Sequence, residues 1–265
     1  MSENQARASR GNVLPYADRI NTVSVDDTFR WLGAGWRDFR RSGAVSLIYG
    51  LLFVAAGLVL TVGLYMADLA YLIAPLMAGF LLVGPALTVG LYAISREIEE
   101  GRKPRLMVAL KAWRANPIHL LALGLALVLF LIIWIRLAVL IFALSFPYTT
   151  PTAQAMFNTI LFTGEGLVFL TLGTVVGSVM ATLAFVTSVF SLPMMMDRKV
   201  DIIQAVVTSV VAVAMNFRVM AVWAALIVVF TVAGLVTFYV GLAVTLPLIG
   251  HASWHAYRAV IKQPA

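Results

Sequence analysis

The chain contains no cysteine. Disulfides, thiolate metal sites and a cysteine nucleophile are therefore excluded. Charge is also scarce: 12% of the 265 residues are Asp, Glu, Lys or Arg, against about 25% in soluble domains. Histidine occurs 3 times, too few for a haem-copper oxidase core, and a c-type haem attachment motif needs cysteine. No phosphate loop, dinucleotide fingerprint, nucleophile elbow or paired glutamates occur. Apolar residues fill the space these absences leave, at 62% of the chain, with a mean hydropathy of +0.95. A water-soluble globular fold is excluded, and so is disorder beyond the first part of the chain. The composition is that of an integral membrane protein.

A membrane-crossing helix needs about 20 apolar residues. The pattern predicts spans over 44–66, 70–94, 118–144 and 161–195, the last long enough to tilt, to kink near Pro193 or to protrude. The apolar run 219–249 carries no charge. It is read as two helices with a tight turn near Ala233 and Gly234, which makes six spans. Ser24-Val-Asp-Asp27 is a capping-box sequence that would open an amphipathic helix over 28–41. There Phe29, Trp31, Leu32, Trp36 and Phe39 alternate with arginines, which suits the membrane interface. Further amphipathic helices are expected over 105–114 and 202–215. An uncharged loop is expected over 146–160. Residues 1–23 are polar and lack the apolar core of a secretory signal. They are expected to be a disordered cytosolic arm, and 24–265 a single membrane domain.

Cytoplasmic segments of membrane proteins carry the excess of Lys and Arg. With six spans and an inside N-terminus, all of the 19 basic residues except Arg136 fall on inner segments. Five spans would place Arg258 and Lys262 outside. The isoelectric point near 10.0 thus follows from orientation and from contact with anionic lipid headgroups. It does not point to nucleic acid.

The chain also suggests three parallel units, 28–103, 104–201 and 202–262. Each has an amphipathic helix, a span, a turn and a second span with a proline near its inner end: Pro85, Pro193 and Pro247. Trp36-Arg37, Trp113-Arg114 and Phe217-Arg218 mark the amphipathic helices. Pro85 precedes Arg96 by the same interval as Pro247 precedes Arg258. Such units would be related by an axis along the membrane normal. The stretches Gly35-Trp-Arg-Asp-Phe-Arg-Arg-Ser42, Gly84-Pro85, Gly90-Leu-Tyr-Ala-Ile-Ser-Arg96-Glu and Gly101 resemble a family of bacterial predicted integral membrane proteins, catalogued as a domain of unknown function. The resemblance runs from about residue 25 to the C-terminus. It implies an all-α, six-pass inner-membrane protein of proteobacteria with both termini cytosolic, and it brings no catalytic residues.

Few residues are candidates for chemistry. Arg136, in the third span, and Glu165, at the outer start of the fourth, are candidates for a pair lining a polar vestibule, with Asp68 in the first outer turn. The structural alternative is that Arg136 snorkels to headgroups and Glu165 is solvated. His251 and His255 share a helical face, and His119 is expected at the same membrane depth. Together they are weak candidates for a metal or haem site, with no carboxylate within one turn to support the pair. No cofactor is expected. Gly166, Gly173, Gly177, Ser178 and Ala181 form a small-residue stripe for helix packing. Met194-Met-Met196 is read as packing. The expectation is a protein without enzymatic activity, serving as an accessory or scaffold or handling small solutes or lipid. Its partners would be the bilayer, a membrane protein or further copies of itself. The alternatives are a transporter or channel with its site on the repeat axis, and a redox accessory that binds metal or haem.

Overall fold

The computed structural model describes residues 15–146 and 162–263, and among them the regular elements are helices, with one isolated bridge between Ile20 and Ile261. Five stretches are long and apolar enough to cross a membrane: Ala44–Met66, Ala70–Glu99, Pro117–Ser145, Gly164–Asp197 and Phe217–Val236. These match the first four expected spans and the front half of the long apolar run.

The first helix, α1 (Val25–Ser42), starts where the capping box places it, with the Ser24 amide donating to Asp27 Oδ2 at 2.8 Å. Its buried stripe, Thr28, Trp31, Gly35, Asp38 and Ser42, follows helical spacing and faces protein. Phe29 and Trp36 remain exposed. Helix α2 (Ala44–Met66) follows after Gly43, whose positive φ turns the chain between the two.

The second span is split into α3 (Ile73–Leu87) and α4 (Val89–Glu99) at Thr88, just past Pro85. A proline lacks the amide that would continue the ladder. Carbonyls at the break find side chains instead. The Tyr49 hydroxyl donates to Leu87 O at 2.8 Å, and Thr88 Oγ1 lies 2.9 Å from Pro85 O. Gly101, at φ 72, then ends α4: its amide donates to Ile98 O, and the Arg102 amide donates to Glu97 O. This Schellman closure folds the chain back on the helix end. Helix α5 (Leu106–Lys111) is a short element before α6 (Pro117–Ser145).

The fourth span is likewise split, into α7 (Gly164–Ser188) and α8 (Ser191–Asp197). The break falls upstream of Pro193, because the proline ring crowds the carbonyl four residues before it. Ser209 of α9 (Ile202–Met215) stitches the gap: its hydroxyl donates to Val186 O at 2.7 Å and accepts from the Phe190 amide at 3.3 Å. Met194, Met195 and Met196 are packed in the core. The expected 146–160 loop, apart from Phe146, lies outside the described residues.

The long apolar run is two helices, α10 (Phe217–Val236) and α11 (Leu242–Val260). The reversal is not at Ala233–Gly234, as the sequence suggested, but over 237–241. Phe238 and Tyr239 take positive φ there, and Thr237 Oγ1 accepts from the Gly241 amide at 2.9 Å. Gly234 lies within α10 and serves close approach: a Cβ on it would sit 3.1 Å from the Leu242 amide nitrogen.

Helix α11 is the hub of the fold. Leu242, Ala252, Trp254, Ala256, Tyr257 and Val260 are essentially inaccessible, and α1, α2, α4 and α10 pack around it. Two glycines set its distance from the first two helices. A Cβ on Gly35 would lie 2.6 Å from the Ala252 nitrogen, and one on Gly50 2.6 Å from Ala243 O. Residues 20–23, read from the sequence as part of the arm, are pinned to the end of α11 and to the α9–α10 junction. The Asn21 amide donates to Val260 O at 2.8 Å, and the Val23 amide to Asn216 Oδ1 at 3.0 Å.

Candidate functional site

Where α1, α2, α4 and α11 meet, a buried polar chain crosses the apolar core. Helical spacing puts His251 and His255 on one face of α11, as the sequence indicated. The partners come from three other helices. His251 Nδ1 lies 2.7 Å from Ser95 Oγ of α4, and His251 Nε2 lies 2.8 Å from Ser46 Oγ of α2. The Ser95 hydroxyl donates to Asp38 Oδ2 of α1 at 2.8 Å. The same oxygen is 2.8 Å from His255 Nε2. Ser46 continues to Ser42 at 2.6 Å.

The Ser95 proton goes to Asp38, so His251 Nδ1–H donates to Ser95, and His255 also donates to Asp38. Ser42 donates its own proton to Phe39 O at 3.0 Å, which ties the far end of the set to α1. Burial alone would push the Asp38 carboxyl up. The hydrogen bond and charge of His255, with the hydroxyl of Ser95, outweigh it and hold the group below the usual carboxylate value.

The chain is closed. His251, Ser95 and Ser46 have no exposed surface. Nor does it form a catalytic triad, which needs one imidazole between a serine and a carboxylate. Asp38 touches His255, while His251 bridges two serines. The carboxylate missing within one turn of the histidine pair is therefore supplied by a helix more than 200 residues away in sequence, at a separation of 217. Asp38, Ser95, Ser46 and Ser42 were not singled out from the sequence. The signal that could have found Asp38 is its place on the Trp31–Gly35–Ser42 stripe, an acidic residue on the inward face of an amphipathic helix.

Toward the C-terminal ends of α4, α8 and α11 lies a second, ionic layer. Glu99 accepts from Trp254 Nε1 at 3.0 Å and from Arg258 Nη2 at 2.7 Å. Asp197 accepts from the Tyr257 hydroxyl at 2.7 Å and faces Arg96 at 3.7 Å. Arg96 also reaches Glu100 at 2.9 Å. These contacts lash three helix ends together.

The other sequence candidates lie apart from this centre. Arg136, Glu165 and Asp68 are exposed on the protein, and among the described residues no ion pair joins Arg136 to Glu165. His119 is half-buried at the start of α6 and makes no hydrogen bond to the α11 pair. Among the described residues no three His, Cys, Asp or Glu side chains converge as a metal cage.

Cavities lie between the helices. One of about 380 Å³ separates α3, α6 and α7, walled by Pro75, Leu82, Trp134, Phe169, Gly173 and Gly177 among others. The small-residue stripe of α7 explains it. Gly177 lies under the Trp134 ring, 3.0 Å from where a Cβ would be, but Gly173 meets nothing. A second apolar cavity of about 280 Å³ lies between α2, α3 and α10–α11. The Gly84–Pro85 break lines a smaller one of about 60 Å³ with Thr88, Tyr92 and Ser253.

No curated protein and no solved structure matches the chain. A family model does, over a narrower stretch than the resemblance suggested. It takes in α4 with Ser95 and both proline breaks, but not α1 or α11. Residues 72–197 match the model of the family described as predicted integral membrane protein (DUF2189), so over that stretch the chain is similar to a family of integral membrane proteins.

Proposed function

We propose that the chain is a non-enzymatic membrane protein of six crossings that holds lipidic molecules between its helices. The observation that carries this reading is the cavity of about 380 Å³ beside α7. It falls within the ~300–1,000 Å³ range of small-molecule sites, its walls are almost wholly apolar, and it lies between segments apolar enough to span a bilayer. The molecule it suits is the acyl chain of a surrounding lipid. Absence of catalysis is supported by the polar chain, whose serines and His251 are buried and whose partly open member, His255, is held by Asp38. A transporter has less support, because charged side chains of the kind that mark solute and ion paths within a membrane are missing from the linings of these three cavities. A redox role has less support because both ring nitrogens of His251 are engaged by serines.

Filling the cavity tests the reading. A Cβ at Gly173 meets nothing within 4 Å and the position lines the cavity, so a Gly173→Trp variant is expected to keep its thermal midpoint in detergent. It should lose the larger part, roughly threefold or more, of the binding of a fluorescent acyl-chain probe. Unchanged probe binding by a folded Gly173→Trp protein overturns the proposal.

The sixth crossing in this reading is α11, about 28 Å long at 1.5 Å per residue and antiparallel to α10. Basic residues at the ends of α1, α4, α8 and α11 then share one side, the cytosolic face of a bacterial plasma membrane. The meeting of α4, α8 and α11 at their C-terminal ends supports the three-unit reading, since these are the inner ends of the second spans of each unit, the spans that carry Pro85, Pro193 and Pro247. A topology reporter fused after Lys262 is expected on the cytosolic side. A periplasmic signal rules out the sixth crossing without touching the cavity.

A further inference from the structure

At the outer wall of the ionic layer, a polar pocket of about 540 Å³ opens between the end of α4, the Arg102–Arg105 connection and α5. The Schellman turn at Gly101 builds its floor by returning Arg102 onto Glu97. Arg102 Nε donates to Glu97 Oε1 at 2.7 Å, and Arg102 also pairs with Glu100. Glu97 is 7% exposed, and its other oxygen, Oε2, is buried without a hydrogen-bond partner. Arg105 Nη2 stops 3.9 Å short of it. A buried acceptor on a charged carboxylate left without a donor is costly, so the position asks for a donor from outside.

Around this acceptor stand cations that the protein leaves open. Arg105 is mostly exposed and has only that distant contact. Among the described residues Lys111 makes no ion pair or hydrogen bond, and it lines the same pocket. A plain anion would pair with Arg105 and Lys111 but leave Glu97 Oε2 without a donor, and a plain cation would meet the basic side chains that outnumber Glu97 in the lining. The combination fits a molecule that carries a phosphate and, a few bonds away, an N–H or O–H donor. The phosphate sits with Arg105 and Lys111, and the donor is directed at the Glu97 carboxylate, whose buried Oε2 is uncovered as the side chains around it shift onto the phosphate.

The wall of the pocket indicates where such a molecule comes from. Met107 and Leu110 of α5 are exposed at 56% and 53%, on a helix whose Lys111 faces the pocket. Apolar side chains bare beside a basic pocket suit headgroup depth. We propose that this pocket binds the headgroup of a phospholipid whose phosphodiester carries a hydrogen-bond donor, either the ammonium of phosphatidylethanolamine or the hydroxyls of phosphatidylglycerol. The site needs the bilayer placement argued above. It does not need the apolar cavity beside α7 to be filled.

The test is lipid retention by the full chain, read by native mass spectrometry after exchange into detergent with phosphatidylethanolamine, phosphatidylglycerol or phosphatidylcholine. Phosphatidylcholine has the phosphate and a positive charge but no donor. The wild type is expected to retain one or both donor-bearing lipids roughly tenfold more than phosphatidylcholine. The exposed-site double variant Arg105→Ala with Lys111→Ala is expected to fold normally and to lose that retention for every headgroup. Glu97→Gln is expected to narrow the gap between phosphatidylethanolamine and phosphatidylcholine while keeping phosphate binding. Binding of soluble phosphoethanolamine as tight as that of the lipid would support the chemistry and assign the source to a free phosphate ester. Equal retention of all three lipids, or retention untouched by the double variant, overturns the proposal. In the latter case Glu97 and Arg105 are simply an ion pair. Gly173→Trp serves as a control: it is expected to leave this retention intact even where it abolishes acyl-probe binding.

Discussion

Alanine at Gly35 is expected to unseat α1, whereas alanine at Gly33, two residues away, is expected to stabilise it. The two glycines have the same helix propensity, and replacing either by alanine in a helix gains up to ~1 kcal/mol of backbone preference. Their surroundings reverse the outcome at one of them. A Cβ on Gly33 has only the tip of Arg37, 3.8 Å away, as a neighbour. A Cβ on Gly35 would meet the backbone of α11 at 2.6 Å from Ala252 N and 2.8 Å from Leu248 O. Backbone atoms at the centre of a buried helix cannot step aside, so α1 must move. Overpacking of this kind costs about 1–3 kcal/mol. Here it also pulls Trp31 from its edge-on contact with Trp223, at 5.5 Å between ring centroids, and Asp38 from its partners. The measurement is the thermal midpoint by tryptophan fluorescence in detergent, with protease cleavage within residues 25–42 as the local readout. A Gly35→Ala protein as stable and as protected as Gly33→Ala would mean that α1 does not dock closely on α11.

The contrast between these glycines marks the limit of what the sequence discloses. Long apolar runs, the capping box and the clustering of basic residues are local or summed properties, so the five apolar crossings and the start of α1 were legible. The role of Gly234 was not. A glycine inside an apolar run has the same signature whether it turns the chain or lets another helix come close, and only the position of α11 decides. The break in the fourth span was legible to within a few residues because the steric demand of Pro193 acts on its own helix. The polar chain was half legible. His251 and His255 declare a shared face, but Ser95 lies 156 residues from His251, and Ser46 lies 205. Periodicity carries no information about which face of another helix arrives there. Phe29, Trp31, Leu32, Trp36 and Phe39 of α1 were read as interfacial because aromatics beside arginines suit headgroup depth. In the structure only part of that set, Phe29 and Trp36, remains outside.

Removing the Asp38 carboxylate should have the largest effect of any single polar change. In Asp38→Ala the Ser95 hydroxyl, with no exposed surface, and the His255 ring nitrogen both lose their acceptor. An orphaned buried donor costs about 1–3 kcal/mol, in full at Ser95 and in part at His255, which is 28% exposed, so a loss of about 2–4 kcal/mol is expected. It should fall first on α1, which then becomes protease-sensitive. Asp38→Asn keeps a carbonyl oxygen that can accept from both donors and should cost only about 1 kcal/mol. The two variants also differ from wild type in their response to acid. The folded-state pKa of Asp38 lies below its ordinary value of 3.8, so the unfolded chain takes up the proton first as pH falls. The stability this group contributes is full above that ordinary value and is lost as pH drops through the lower folded value. Thermal midpoints of wild-type protein should therefore fall across that acid window by more than those of Asp38→Asn, which has no proton to gain there. Parallel acid profiles for the two proteins, or an Asp38→Ala protein with α1 still protected, would show that the carboxylate does not hold α1 to the hub.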